Sequence, residues 1–182
     1  MHALSAGIDF SWEKKGRILY ACLVLFRGGY LARKVYDYIR GSIYEYTLHF
    51  RKLTRKKKKT ALSVLDKVLG HEVIPGFSKR DVYAFRLVIP RGSPLISKYT
   101  WLEDNIAQLI SSIRRYRNYP SQLIIGSDLE RGEYSFTRRL ERKIGFPIHI
   151  YVDDKSPEVC IADLVVNYVR ITRKIRVQSH FC

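Results

Sequence analysis

The alternation of apolar and polar side chains predicts the first elements of the chain. Residues 3–12 (ALSAGIDFSW) form a short β-prone stretch, and residues 13–17 form a turn. Residues 18–29 (ILYACLVLFRGG) are apolar almost without a break, which is typical of a strand covered on both faces in the centre of a sheet. Residues 30–40 fit either a helix or a third strand, and we favour the helix.

A basic run separates this region from the next helical pattern. Residues 51–59 (RKLTRKKKK) contain seven Lys or Arg in nine positions. The following residues 60–70 predict a helix with Thr60 as its N-cap and Gly70 as its C-terminal stop. Residues 81–90 alternate like a strand that ends at Pro90, and residues 100–117 have apolar positions at helical spacing.

The last third of the chain has the clearest pattern. It predicts a strand at residues 121–128, a helix at 134–145 closed by Gly145, a strand at 147–154, and a final helix from about Pro157 to Arg173. Strands and helices that alternate at such short spacing imply parallel strand pairing. The sequence therefore predicts one α/β domain with a mixed sheet flanked by helices and a basic insertion at about residues 45–80.

The charge balance indicates the kind of partner rather than the fold. The 182 residues carry 33 Lys plus Arg against 17 Asp plus Glu, a formal net charge of +16. Polyanions are the natural partners of such a chain, with nucleic acid ahead of an anionic membrane surface. We expect no membrane association, because there is no clear amphipathic basic helix and the longest apolar run, residues 18–26, is too short to cross a bilayer.

The expected compartment is the cytoplasm, and several chemistries lack support. The three cysteines, Cys22, Cys160 and Cys182, lack metal-ligand spacing and are predicted to be reduced thiols. No phosphate-binding glycine loop is present, so we expect no nucleotide cofactor, and serine-hydrolase and paired-histidine zinc motifs are missing. No motif distinguishes DNA from RNA as the partner.

The few carboxylates stand at informative places. Asp9 ends the first apolar strand, and three further acids end the strands of the last third: Asp128, Asp153 and Asp154. The carboxyl ends of strands in an open α/β sheet are where functional sites gather. Carboxylates that converge there would repel one another unless a divalent cation such as Mg²⁺ or Mn²⁺ lay between them.

One further acid, Asp163, interrupts the apolar final helix. An unpaired buried carboxylate would cost several kcal/mol. Asp163 is tolerable there if the helix crosses the strand ends and directs the carboxylate at metal. Alternatives remain open: Asp163 could be partly exposed, paired with Arg170 or hydrogen-bonded to Asn167, and Asp128, Asp153 and Asp154 could be turn or cap residues.

Two short motifs resemble a known superfamily. The segment GIDFS around Asp9 resembles the first catalytic strand of RNase H-like proteins, including Holliday-junction resolvases. The segment DDKSPEVCIADLV resembles the closing motif of an uncharacterised RNase H-like family, the domain of unknown function thirty-eight-hundred. This resemblance implies an RNase H-like fold and a two-metal nuclease that hydrolyses phosphodiester bonds of DNA or RNA.

The resemblance also implies roles for individual acids. Asp9, Asp128 and Asp163 would be the catalytic metal ligands, and Asp154 or Asp153 would be an auxiliary ligand. The sequence departs from the family at two positions, because Phe10 replaces the usual Glu and Cys160 the usual Gln. A non-catalytic nucleic-acid-binding protein of ribonucleoprotein type on the same fold is the alternative.

The basic segments supply the predicted nucleic-acid contacts. A surface rich in Lys and Arg would gather phosphates with strong salt dependence. The thirteen tyrosines could supply stacking platforms for single strands. The predicted contacts to the nucleic-acid backbone are Lys52, Lys56, Lys57, Lys58, Lys59, Arg114 and Arg115.

Overall fold

A six-stranded mixed sheet organises the part of the chain that the structure describes. The structure is a computed structural model that describes residues 4–13, 17–71, 73–90, 92, 95–115, 120–127 and 135–181. The strands are β1 (Ser5–Glu13), β2 (Ile18–Phe26), β3 (Val82–Val88), β4 (Gln122–Ile125), β5 (His149–Val152) and β6 (Val177–Phe181). The helices are α1 (Gly29–Ile43), α2 (Arg55–His71), α3 (Leu95–Arg115), α4 (Phe136–Ile144) and α5 (Pro157–Thr172), with 3₁₀ turns at Phe50–Lys52 and Lys79–Asp81.

The strand order is β5-β4-β1-β2-β3-β6. The first three strands form an antiparallel meander. β4 pairs parallel with β1, and β5 pairs parallel with β4. β6 joins the other edge parallel to β3. The parallel pairing predicted for the last third is thus confirmed.

Helices cover both faces of this sheet, and β2 shows how. Its even-numbered residues from Tyr20 to Phe26 pack into a core with α1, α2 and α5. Its odd-numbered residues from Leu19 to Leu25 pack into a second core with α3 and α4. The nearly continuous apolar run of β2 is explained by this burial on both faces, and the predicted α/β architecture with a mixed, helix-flanked sheet is confirmed.

Three local expectations are corrected or decided by the structure. Residues 30–40 belong to a helix, α1, and not to a strand. The N-cap prediction at Thr60 is wrong, because α2 already begins at Arg55 and the Thr54 hydroxyl accepts a hydrogen bond from the Lys57 amide at 3.3 Å. The predicted stop at Gly70 is also wrong, since the helix continues to His71. Lys and Arg are good helix formers, so the basic run joins the helix.

The helices of the last third begin and end where the sequence predicts. The Ser156 hydroxyl accepts a hydrogen bond from the Val159 amide at 3.2 Å and caps α5, which ends at Thr172. α4 closes at Gly145 in the left-handed conformation (φ 68°). Within the described ranges, no helix has both the length and the apolar character needed to span a membrane.

Candidate active site and nucleic-acid interface

The two faces of β1 differ in chemistry, and the polar face lies under α5. Side chains alternate across a strand, so one face carries Ala6, Ile8, Phe10 and Trp12, which pack into the core with α3 and α4. The other face carries the five residues Ser5, Gly7, Asp9, Ser11 and Glu13. We call these five residues, together with the α5 side chains that meet them, the polar seam.

Helix α5 approaches β1 very closely at Gly7. A Cβ atom added at Gly7 would lie 2.2 Å from the carbonyl oxygen of Glu158 in the first turn of α5. Real Cβ atoms essentially never come within 3.0 Å of another heavy atom. Glycine is therefore required here by the closeness of the two backbones, and the acids of β1 and α5 are held at a fixed separation.

Hydrogen bonds and an ion pair follow the polar seam from end to end. The Ser5 hydroxyl donates to Glu158 Oε1 at 3.1 Å, and the Ser11 hydroxyl donates to Asn167 Oδ1 at 3.3 Å. At the far end Arg173 donates to Glu13 Oε2 at 3.1 Å. Glu158 and Asn167 are only 7% and 6% exposed, so these polar groups are part of the interior.

β4 and β5 end at one level of the sheet, beside the middle of β1. Ile8 is paired with Ile125, and Ile125 is paired with Val152. The next residues along the three strands are Asp9, Gly126 and Asp153. The sheet register thus places Asp9 level with Asp153, which follows the end of β5. The prediction that Asp9 ends its strand is wrong, since β1 continues to Glu13 through its pairing with β2.

The two acids that follow β5 also shape the local loops. Asp153 Oδ1 accepts a hydrogen bond from the Lys155 amide at 2.9 Å, which is the turn role that the sequence left open. Asp154 Oδ1 accepts from the Ser127 amide at 2.7 Å and ties the end of β4 to the end of β5. Both side chains are exposed, so their remaining oxygens are accessible to a ligand.

Asp163 in α5 is held by two donors. Its Oδ2 accepts a hydrogen bond from the Phe50 amide at 2.8 Å, and its Oδ1 accepts from Asn167 Nδ2 at 3.0 Å. The hydrogen bond to Asn167, one of the two partnerships open from the sequence, is therefore present, while Arg170 donates to Asn167 Oδ1 at 3.0 Å. The carboxylate is tolerated in an apolar helix because it binds the 3₁₀ turn at Phe50–Lys52 to α5.

The charge of Asp163 is nevertheless costly. Burial raises the pKa of the Asp163 carboxyl above its ordinary value, because the charged form is poorly solvated. The Phe50 amide, then His49, Arg51 and Asn167, oppose this rise. The net direction remains upward, so the groups that contact Asp163 compensate only part of its desolvation.

Cys160 lies among four of the acids. Burial raises the pKa of its thiol to about 12, and negative charge on Asp163, Asp153, Asp9 and Asp154, in decreasing order of effect, adds to the rise. The Sγ atom donates to the Asp154 carbonyl oxygen at 3.6 Å. Cys160 is therefore a neutral thiol surrounded by carboxylates that belong to β1, to α5 and to the loop between β5 and α5.

The donor chemistry of these acids fits a hard divalent cation, but the described residues form only part of a site. Carboxylate oxygens are the ligands that Mg²⁺ and Mn²⁺ prefer. Among the described residues, no three His, Cys, Asp or Glu side chains are placed to hold one metal ion. Asp128, the remaining predicted ligand, lies outside the described residues, and the Phe10 amide donates to Asp9 Oδ1 at 2.8 Å.

The predicted basic contacts divide into three groups. Lys52, Lys56 and Lys59 are exposed. Lys57 is bound to Glu45 Oε1 at 2.8 Å, and the Lys58 Nζ atom lies 5.4 Å from the centre of the Phe50 ring. Arg114 and Arg115 end α3, and their side chains lie outside the described part of the chain.

Sequence reasoning missed most of the polar seam. Glu158, Ser5 and Ser11 were not candidates, although they connect β1 to α5 around Asp9. The signal was present in the strict alternation of small or polar residues from Ser5 to Glu13. The sequence contained no sign that the backbone of Phe50, which lies 113 positions before Asp163, would contact its carboxylate.

Comparisons with known proteins agree with this architecture. The ribonuclease H2 of Pyrococcus horikoshii OT3 is similar in structure, with a TM-score of 0.58 and 16% identity over 92% of this chain and 72% of that one. A chain of the PCNA:RNase HII complex from Archaeoglobus fulgidus is also similar, with a TM-score of 0.53 and 16% identity over 94% of this chain and 74% of that one. No family model matches the sequence, and no curated protein matches it significantly. The chain has an RNase H-like fold.

Proposed function

We propose that this protein is a nuclease that hydrolyses phosphodiester bonds of DNA or RNA with the help of divalent metal ions. The observation that carries the proposal is the placement of Asp9 on β1 level with Asp153 after β5, on a strand that α5, the helix of Asp163, contacts at Gly7, in an RNase H-like fold. The net charge of +16 suits a polyanionic substrate. The solved structures that resemble the chain include a ribonuclease H2.

The proposed ligands are Asp9, Asp128 and Asp163, with Asp153 or Asp154 in support. Each of these two supporting acids has one oxygen committed to a backbone amide, that of Lys155 for Asp153 and that of Ser127 for Asp154. Carboxylate-bound Mg²⁺ or Mn²⁺ in such sites activates water and stabilises negative charge on the phosphate. Asp163 would serve two purposes, since its oxygens each retain a second lone pair beyond those that accept from Phe50 and Asn167.

The direct test is cleavage of labelled single- and double-stranded DNA and RNA with Mg²⁺ or Mn²⁺. We expect cutting that requires the metal and falls by at least about 100-fold in Asp9→Asn and in Asp163→Asn. The matched control is Asp104→Asn, an acid on α3 that is 47% exposed and should leave cutting unchanged. Metal-dependent cutting that survives in both site variants would contradict the proposal.

A second candidate is supported by a specific observation. The described acids do not bring three ligands to one metal position, and Asp163 contributes both oxygens to hydrogen bonds within the protein. A protein that binds nucleic acid without cutting it would have this arrangement. Tight, salt-sensitive binding without cleavage, unchanged in Asp9→Asn and Asp163→Asn, would identify this second function.

A further inference from the structure

We propose that Tyr44 and Tyr46 form a stacking platform for the unpaired bases of a single-stranded nucleic acid. This inference rests on the proposed function and narrows it, since it names the substrate class and the surface that recognises it. The two rings stand on the segment that connects α1 to the 3₁₀ turn at Phe50–Lys52.

The first observation is the exposure of both rings. Tyr44 and Tyr46 are each 89% exposed. By contrast, Tyr20 and Tyr168 are fully buried in the core. Two large aromatic side chains presented to solvent one residue apart form an apolar surface that the fold itself does not use.

The second observation is the backbone of Tyr44. Its φ of 54° and ψ of 53° place it in the left-handed conformation at the C-terminus of α1. Glycine is the usual residue at this position, because a side chain there is strained. A tyrosine that accepts this strain while its ring remains in solvent gains little from packing, and such local strain is concentrated at functional sites.

The third observation is the charge around the platform. Lys57 Nζ donates to the Tyr44 carbonyl oxygen at 3.3 Å, which fixes the platform to the first turns of α2. The first turns of α2 are basic and contain no acidic residue. Positive side chains at a helix N-terminus oppose the helix dipole, so the dipole does not account for this basic run. A platform tied to this basic turn suits a nucleic-acid strand whose nucleobases stack on the rings while its phosphates contact the exposed lysines Lys52, Lys56 and Lys59.

The fourth observation is the proximity of the platform to Asp163. Phe50, whose amide donates to the Asp163 carboxylate, follows Tyr46 by four residues. Four residues span at most about 14 Å and the six residues from Tyr44 at most about 22 Å, so the platform lies within a few nucleotides of the candidate active site. A strand held on Tyr44 and Tyr46 can therefore continue to the acids.

The platform recognises the π-face of a nucleic-acid base that is not part of a duplex. Bases within a duplex are stacked on their neighbours and unavailable, whereas every unpaired base has a free face regardless of its sequence. Single-stranded DNA and single-stranded RNA share this feature. We expect both to bind, in preference to a blunt duplex of the same length.

The experiment measures binding of fluorescent single-stranded DNA, single-stranded RNA and blunt duplex at fixed salt. A 2-aminopurine base in the single strands reports stacking by loss of fluorescence. We expect Tyr44→Gly and Tyr46→Ala to lower single-strand affinity by about tenfold each and to restore the 2-aminopurine signal, with duplex affinity unchanged. Tyr46→Phe keeps the aromatic face and should bind like the wild type.

The variant Tyr44→Gly distinguishes a loss of binding from a loss of folding. Glycine removes the ring and relieves the left-handed strain, so weaker binding by a variant whose thermal stability does not fall cannot come from unfolding. The matched control is Tyr30→Ala, because Tyr30 is also 82% exposed but stands at the opposite end of α1. Its affinity should not change.

The outcomes distinguish this inference from the proposed function. Unchanged single-strand affinity in both Tyr44→Gly and Tyr46→Ala would overturn the platform and leave nucleic-acid binding intact. Triple substitution of Lys52, Lys56 and Lys59 by Ala should weaken single-strand and duplex binding alike. A wild-type protein that binds none of the three nucleic acids would overturn the proposed function and this inference together.

Discussion

The two faces of β1 are packed against helices in different ways. Towards α3 and α4, Ile8 and Ala6 are buried in a continuous apolar core. Towards α5, Gly7 allows the backbones to touch, and Ser5 and Ser11 donate to polar side chains of the helix. The apolar face is stabilised by the apolar surface area that it buries. The polar seam is stabilised by a few hydrogen bonds and one close backbone contact.

This difference shows how a protein interior can contain acids while the protein remains folded. The second core buries large side chains from five strands and two helices, so it can supply much of the free energy of folding. The polar seam contains Asp9 and the buried Glu158 and contributes less per residue. On β1, the buried apolar side chains and the acids therefore lie on opposite faces.

The largest expected effect comes from the apolar face. Ile8→Ala should lower the free energy of unfolding by about 2–5 kcal/mol, because Ile8 is 1% exposed and its loss leaves a cavity. Urea denaturation of the variant gives this value. Ile171→Ala is the control, since Ile171 is 49% exposed and should change stability by less than about 0.5 kcal/mol. A loss at Ile8 no greater than the loss at Ile171 would remove the distinction between the faces.

The polar seam should be most sensitive at Gly7. Gly7→Ala adds a methyl group where the Glu158 carbonyl already stands, so strand and helix must separate, at a cost of about 1–3 kcal/mol. The matched control is Gly41→Ala in α1, where nothing lies within 4 Å of the added Cβ. That variant should gain about 0.5–1 kcal/mol, because Ala favours the helix. Both values follow from thermal unfolding, and a neutral Gly7→Ala would show that the close contact can yield.

The α3 and α4 side contains a buried charge of its own. Glu103 is 1% exposed and accepts from Arg139 Nε at 2.7 Å, which fastens α4 to α3. Glu103→Gln should cost about 1–2 kcal/mol, because it weakens a charge-assisted hydrogen bond whose partner is partly exposed. Chemical denaturation measures the loss. Asp104→Asn, at the exposed neighbouring pair with Lys143, should cost less than about 0.5 kcal/mol.

The smallest effect concerns pH and Asp163. Its pKa is raised by burial, so the folded state binds the proton more tightly than the unfolded state does. The resulting stabilisation is present below the ordinary pKa of an Asp and is lost as the pH rises through the raised value. The stability difference between wild type and Asp163→Asn should therefore shift in favour of the variant as the pH rises. Urea titrations between about pH 3 and pH 7 measure this shift.

Asp66 supplies a control of opposite sign. Hydrogen bonds from Lys174 and then Tyr168 lower the pKa of its carboxyl. The wild type should therefore gain stability relative to Asp66→Asn as the pH rises above the lowered value. Slopes of the same sign for the two variants would contradict this account of Asp163.

Local patterns determined most of what the sequence could predict. The continuous apolar run of β2, the Ser156 cap of α5 and the Gly145 end of α4 each depend on residues close together in the chain. The start of α2 was misplaced because Thr54 and Thr60 are equally good caps by composition. The structure selects Thr54, while the Thr60 hydroxyl donates back to the Lys56 carbonyl oxygen at 3.2 Å.

Contacts between distant parts of the chain could not be predicted in the same way. β6 was missed, because residues 177–181 become a strand by pairing with β3, about ninety positions earlier. The sequence placed Asp9, Asp128 and Asp153 at strand ends and Asp163 in the final helix, and the convergence of these acids stays a prediction. The hydrogen bonds that occupy Asp154 and Asp163 depend on Ser127 and Phe50, which no periodicity connects to them.

The surroundings of Cys160 also affect its reactivity. Thiolates, not thiols, attack alkylating reagents and oxidants, and four neighbouring carboxylates together with burial keep Cys160 protonated. Cys22 on β2, the strand next to β1, is fully buried, and burial raises the pKa of its thiol as well. Both sulfurs should become reactive only when α5 separates from the sheet. The rate at which a thiol reagent labels Cys160 and Cys22 in the native protein would therefore report how often the helix that carries Asp163 separates from the sheet.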